Sequence, residues 1–272
     1  MESENPQIFV IADYGVGDPA FTEVVQRITA LMPDARIERI YVRHFNTTQT
    51  GFWVYQIALN DDAIRKLSAN KANTYIYVNT APRRDDPNPR KEASGEGLAY
   101  AKLKTGMEIV GVNSGETFSF VKPMIEKLFS VNVSNMGSQF RSRDIFPKVL
   151  AQIVNGDYSC LGAELSLDSI PEPKGSRIAH VDGYGNIKTT IHASDVSGLK
   201  LGDSVKVSIN QAEYNAKYAD SIFGVKEGEL CFAAGSSGPK ENRFMEISKR
   251  LGSAWKLFGK PEIGTEIKWG KA

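Results

Sequence analysis

Two rounds of a strand-like segment followed by helix-spaced residues, closed by a third strand-like segment, fill the first 80 residues and constrain the fold most. Ile8-Phe9-Val10-Ile11-Ala12 is a short buried-type run that ends at Asp13-Tyr14-Gly15. Phe21, Val24, Val25, Ile28 and Leu31-Met32 follow at helical spacing, and Pro33-Asp34 stops them. Arg36 to Val42 reads as a strand, Phe52 to Leu59 as a helix and Tyr75 to Val78 as a strand. Strand and helix in alternation predict a mostly parallel sheet with helices on both faces.

Further along, Glu108 to Val112 reads as a strand ending at Asn113-Ser114-Gly115. Lys122–Leu128 and Phe146–Ile153 read as helices. Between Thr80 and Gly97 three prolines and a cluster of charges predict a long loop, of a length that is often functional in compact domains. Ser169 to Gly175 holds two prolines and a glycine and reads as a linker. The texture then changes to short strands over 178–181, 187–191, 204–209, 213–219, 229–233 and 266–269, joined by turn residues. The expected organisation is an α/β domain over 1–168, a linker over 169–175 and a smaller β-barrel domain over 176–272. A chain of 272 residues agrees with that count at about 150 residues per domain.

Composition excludes several functions. Lys plus Arg is 33 and Asp plus Glu is 32, so no general charge favours nucleic acid. No run approaches the roughly 18 apolar residues of a membrane span. Met1-Glu2-Ser3-Glu4-Asn5-Pro6 lacks the basic start and apolar run of a secretory signal. Two cysteines, Cys160 and Cys231, do not make a disulfide scaffold or a metal site, and a reducing cytoplasm is the expected setting. The three histidines, His44, His180 and His192, show no zinc spacing and read as structural.

Several residues carry candidate chemistry, each with an alternative. Asp13 at a strand end suits a ribose diol, or caps the next helix. Asn113-Ser114-Gly115 is a polar contact or a turn. Asn186, after Gly183-Tyr184-Gly185, suits a purine edge or belongs to a hairpin turn. Gly235-Ser236-Ser237-Gly238 is no P-loop; it binds a carboxylate or turns the chain. Phe140-Arg141-Ser142-Arg143-Asp144 is a dense polar loop whose default reading is solvated surface.

In order along the chain, these motifs resemble the S-adenosyl-methionine (SAM) hydroxide adenosyltransferase family, which includes the SAM-dependent chlorinases and fluorinase. Ala12-Asp13-Tyr14-Gly15 is similar to the family's Thr-Asp-Phe-Gly, and Met32-Pro33-Asp34-Ala35 to its Asn-Pro-Asp-Ala turn. Phe140 to Phe146 matches Phe-His-Gly-Arg-Asp-Ile-Phe, and Asp182 to Asn186 matches Asp-x-Phe-Gly-Asn. Gly235 to Gly238, Met245-Glu246-Ile247-Ser248 and Gly252-Ser253-Ala254 match its last three motifs. The resemblance implies an α/β domain plus a β-barrel and a homotrimer with sites between subunits. It also implies an adenosyl ligand, and no cofactor or metal beyond SAM itself.

By position it gives Asp13 the ribose, with Tyr14 and Asn113 nearby, and gives Asn186 and Ala254 the adenine. Asp182, Ser236 and Ser237 would take the methionine part, and Tyr184 would pack beside it. The reaction implied is substitution at the ribose C5′, most simply by water, giving adenosine and L-methionine. The family's water site uses Asp, Arg and His; here the positions read Asn79, Arg90 and Arg141, with Ser142 beside them. Neither Asn79 nor Arg141 can act as a general base near neutral pH. Arg141 could instead hold an anion, so halogenation is a remote alternative, and a non-catalytic SAM or adenosine sensor is another.

Overall fold

The computed structural model describes residues 5–67, 73–83, 95–134 and 138–272. They divide into two units, Met1–Glu172 and Pro173–Ala272, and the division falls inside the 169–175 segment. Ile170 is buried in the core of the first unit and Ser119 Oγ donates to Pro171 O, so the start of that segment packs on the first unit. Among the described residues, no helix is long and apolar enough to cross a membrane.

The first unit runs β1 (Gln7–Ala12), α1 (Pro19–Leu31), β2 (Arg36–Tyr41), α2 (Thr47–Leu67), β3 (Thr74–Asn79), β4 (Leu98–Leu103) and β5 (Glu108–Val112). It continues through β6 (Ile125–Val131), α3 (Arg141–Asp144), α4 (Phe146–Val154) and β7 (Leu161–Glu164). The sheet order is β2-β1-β3-β5-β4-β6-β7. The β2-β1-β3-β5 half is parallel; β4, β6 and β7 extend it antiparallel.

Strand alternation sorts the core. Ile8, Val10 and Ala12 of β1 and Tyr77 of β3 point to the face covered by α1 and α4. Ile11, Ile76 and Val78 point to the opposite face, under Val54, Ile57 and Ala58 of α2. Burial on both faces explains why β1 is almost wholly apolar. Helix α1 starts at Asp18, whose carboxylate accepts from Ala20 N at 2.8 Å, with Pro19 in the first turn. The cap is therefore Asp18, which leaves Asp13 for another task.

The helix expected over Lys122–Leu128 is replaced by one 3₁₀ turn, Lys122–Met124, and then by β6. Ile125, Leu128 and Val131 are buried three residues apart, which mimics a helix. The cause is irregular pairing: the register shifts against β4 between Lys102 and Leu103, and against β7 between Phe129 and Val131.

The second unit comprises β8 (Ile178–Val181), β9 (Ile187–His192), β10 (Ser204–Ile209), β11 (Ala212–Tyr218), β12 (Leu230–Ala234), β13 (Phe244–Lys249), α5 (Ala254–Leu257) and β14 (Ile267–Lys271). Its seven strands form one curled half-barrel in the order β14-β10-β11-β12-β13-β9-β8. The two end strands meet at a single antiparallel bridge, Arg177 with Glu266, supported by Ile178 N–H donating to Thr265 O at 2.9 Å. Val205, Val207 and Ile209 alternate inward along β10 and pack with Phe232, Met245 and Ile247.

Candidate functional site

In the first unit the polar residues gather where parallel strands end, the usual ligand position in such sheets. Asn79 closes β3 and pairs with Ala12, the last residue of β1. Asp13 and Tyr14 follow directly. They line a cavity of ≈ 660 Å³ together with Arg141 and Ser142 of α3. That volume suits a nucleoside-sized ligand.

Tyr14 is the hub. Its hydroxyl donates to Ser142 Oγ at 2.7 Å and accepts from Asn79 Nδ2 at 2.8 Å. Its ring packs edge-on against Phe21 and Phe140, with centroids 5.6 and 5.8 Å away. Burial pushes the Tyr14 phenol well above its ordinary range, so it stays a neutral donor. From below, the buried Tyr77 hydroxyl donates to Ser142 O at 2.7 Å. Three chain segments, 13–14, 77–79 and 141–142, are thus joined by hydrogen bonds.

Asp13 Oδ2 accepts from Phe45 N–H at 2.8 Å, and its carbonyl oxygen lies 2.7 Å from His44 Nδ1. Burial raises the Asp13 carboxyl, partly offset by Phe45 N–H, the residue's own N–H, His44 and Arg83. His44, read as structural, therefore stands at the cavity and holds the Asp13 backbone. Phe45 and Arg83 both have positive φ, 58° and 59°, and the Arg83 guanidinium lies over the Phe45 ring at 6.0 Å. Such backbone strain in non-glycine residues clusters at ligand sites.

The polar loop read as solvated surface has two faces. Arg143 bonds Asp144 and pairs with Glu23 of α1 at 2.7 Å, and Asp144 lies 3.7 Å from Arg27. Arg143, then Ser138, hold the Asp144 carboxyl well below the usual carboxylate range. This anchors α3 on α1 and turns Arg141 and Ser142 to the cavity. Arg141 stacks on Phe146 at 5.3 Å. Arg83, Glu96 and Gln139 also line the cavity and escaped the sequence reading. Asn113 does not line it; its N–H donates to Gly97 O. Arg90, and with it residues 84–94 of the long loop, lies outside the described residues.

In the second unit Asp182 organises its own loop. Oδ1 accepts from Tyr184 N and Asn186 N, each at 3.0 Å, and Oδ2 accepts from Asn186 Nδ2 at 3.1 Å. Gly185, at φ 83°, sits so close to Ser253 that a Cβ would collide with it. Trp255 N–H donates to Gly185 O at 2.9 Å, which brings Ala254 and α5 beside Asn186. Tyr184 is 84% exposed. Ser236 joins a second group: Lys188 Nζ lies 3.3 Å from its Oγ and 2.8 Å from Glu246 Oε2. Ser237 is buried, and its carbonyl accepts from Phe244 N–H. Among the described residues, no three His, Cys, Asp or Glu side chains converge as a metal site.

Residues 176–266 match the SAM hydroxide adenosyltransferase C-terminal domain. The chain is similar in fold to an uncharacterized conserved protein from Thermotoga maritima, with TM-score 0.73 and 21% identity over 97% of this chain and 100% of that one. It is also similar to a conserved hypothetical protein from Thermus thermophilus, with TM-score 0.63 and 16% identity over 98% of this chain and 100% of that one. Among curated proteins, none matches the chain.

Proposed function

We propose, from the match of residues 176–266 to the SAM hydroxide adenosyltransferase C-terminal domain, that the chain is a member of that family, binds SAM and transfers the adenosyl group to water. The domain itself implies SAM-related activity. The observation that supports the reaction is the cavity over the β1 and β3 ends, where Asp13, the Asn79–Tyr14–Ser142 chain and Arg141 face one space. Asp13 takes the ribose hydroxyls there. In the second unit, Asn186 and the Ala254 backbone take the adenine. Asp182, Ser236 and Ser237 take the methionine end, with Tyr184 packed beside it. A homotrimer, as the resemblance implies, completes each site, and the expected setting is the cytoplasm.

Water attacks C5′ as the C5′–sulfur bond breaks, and the sulfonium leaves as neutral methionine. Such a leaving group needs no acid. Alignment and exclusion of bulk water are contributions the protein makes to such a step. Asn79 and Ser142 are buried, at 8% and 6% exposure, and Tyr14 holds both in place. The amide at Asn79 favours one second reading, a sensor that binds SAM without turnover.

Purified protein incubated with SAM, with and without chloride, followed by chromatography and mass spectrometry, tests the proposal. Equal amounts of adenosine and methionine above the protein-free control are expected. SAM recovered intact overturns turnover, and stoichiometric binding on the same sample then identifies the sensor. A 5′-chloro product moves the nucleophile from water to halide.

A further inference from the structure

We propose that Glu96 is the general base for the attacking water, the role that Asn79 and Arg141 cannot fill; this rests on the hydrolytic reading above. Glu96 immediately precedes Gly97 and β4, far in sequence from the strand ends that carry Asp13 and Asn79. The fold nevertheless places it on the wall of the same cavity, 8% exposed. Three acidic residues line that cavity among the described residues: Asp13, Asp18 and Glu96. Asp18 is committed to the α1 cap, and Asp13 Oδ2 accepts from Phe45 N–H. Of the three, Glu96 is the buried one, and it stands beside Arg141.

Arg141 positions it. The Arg141 guanidinium lies 3.5 Å from Glu96 O and 3.0 Å from where a Cβ on Gly95 would stand. It therefore lies along the 95–96 backbone while its central carbon stands over the Phe146 ring at 5.3 Å. In place of a histidine that would accept a proton, this chain has a fixed cation that holds a carboxylate-bearing segment at the cavity. Arginine stays protonated and an amide is not a base, whereas an ionised carboxylate can accept the proton that the water loses as it attacks. The step balances. The water oxygen forms the C5′–O bond and the C5′–S electron pair passes to sulfur. The water proton goes to a Glu96 carboxylate oxygen and then to solvent.

The test uses the full chain with SAM, comparing wild type with Glu96→Gln and Glu96→Ala. Adenosine formation is followed by chromatography, and SAM affinity by calorimetry. A general base contributes on the order of 100-fold or more. Glu96→Gln should therefore lose at least about 100-fold in kcat while its Kd for SAM stays within about threefold of wild type. Added formate should restore turnover to Glu96→Ala in proportion to its concentration, which repair of a purely structural defect would not do. A Glu96→Gln enzyme as fast as wild type overturns the assignment and leaves the hydrolytic reading intact. If Glu96→Gln fails to fold, absence of formate rescue in Glu96→Ala overturns it instead. A wild type that never converts SAM overturns both.

Discussion

Replacing Tyr14 by phenylalanine removes one oxygen and two hydrogen bonds, and leaves the ring where Phe21 and Phe140 hold it. Each bond contributes about 0.5–1.5 kcal/mol net, so the pair is worth about 2 kcal/mol. Asn79 and Ser142 are buried, which works against cheap replacement by solvent. The side of Tyr14 that faces the cavity admits some water, which brings the expected loss to about 1–2 kcal/mol. For a chain of this size that lowers Tm by roughly 2–4 °C. Differential scanning calorimetry measures it, with Ser142→Ala and the double variant completing a cycle. The cycle should be non-additive by about 0.5–1.5 kcal/mol, because both substitutions break the same Tyr14–Ser142 bond. Adenosine formation should fall about tenfold, since the two groups that Tyr14 aligns lose their register. A Tm within about 1 °C of wild type, with additive effects, would refute the idea that this hydroxyl organises the site (a threshold at the noise of the assay).

Asp13→Ala should weaken SAM binding at least about tenfold by calorimetry, whereas Asp18→Ala should cost about 1 kcal/mol of stability through loss of the α1 cap. Retained affinity in Asp13→Ala would remove the ribose role. Gly185→Ala forces a side chain into a left-handed backbone and against Ser253, so a loss of at least about 1–2 kcal/mol is expected in a thermal melt; an unchanged melt would mean that the loop relaxes freely. His180 is held below its usual value, at about 4, mainly by burial and then by Lys188, with Asp182 opposing. The folded state therefore refuses a proton that the unfolded chain accepts. That contribution is complete above the ordinary histidine value of 6.5 and is lost as pH falls through 6.5 towards 4. Denaturant titrations at several pH values should show a shallower slope across that window for His180→Gln than for wild type; identical slopes would contradict the burial argument.

Local chemistry made much of this protein legible before its structure. The apolar runs of β1, β3 and β5 and the spacing of Phe21, Val24, Val25 and Ile28 in α1 are periodic signals, and a period is a property of neighbours in sequence. The ordered motifs that pointed to the family are also local. Asp13, Tyr14, Asn79, Arg141 and Ser142 were named from them and line one cavity. Periodicity failed at Lys122–Leu128, where bulged pairing with β4 spaced the buried residues like a helix.

Tertiary structure decided which further residues the site contains. His44, Arg83 and Glu96 carry no motif, and their arrival at one cavity with Asp13 depends on how β1, β2, β3 and β4 are ordered in the sheet. The Tyr14 hydroxyl joins residues separated by 128 and 65 positions, and the polar loop at 140–144 faces the cavity only because Arg143 and Asp144 bind α1. Sequence determines which strands and helices form, because their patterns repeat within a few residues. Which side chains meet is set by strand order and register, which are long-range choices made by packing two faces of one sheet at once.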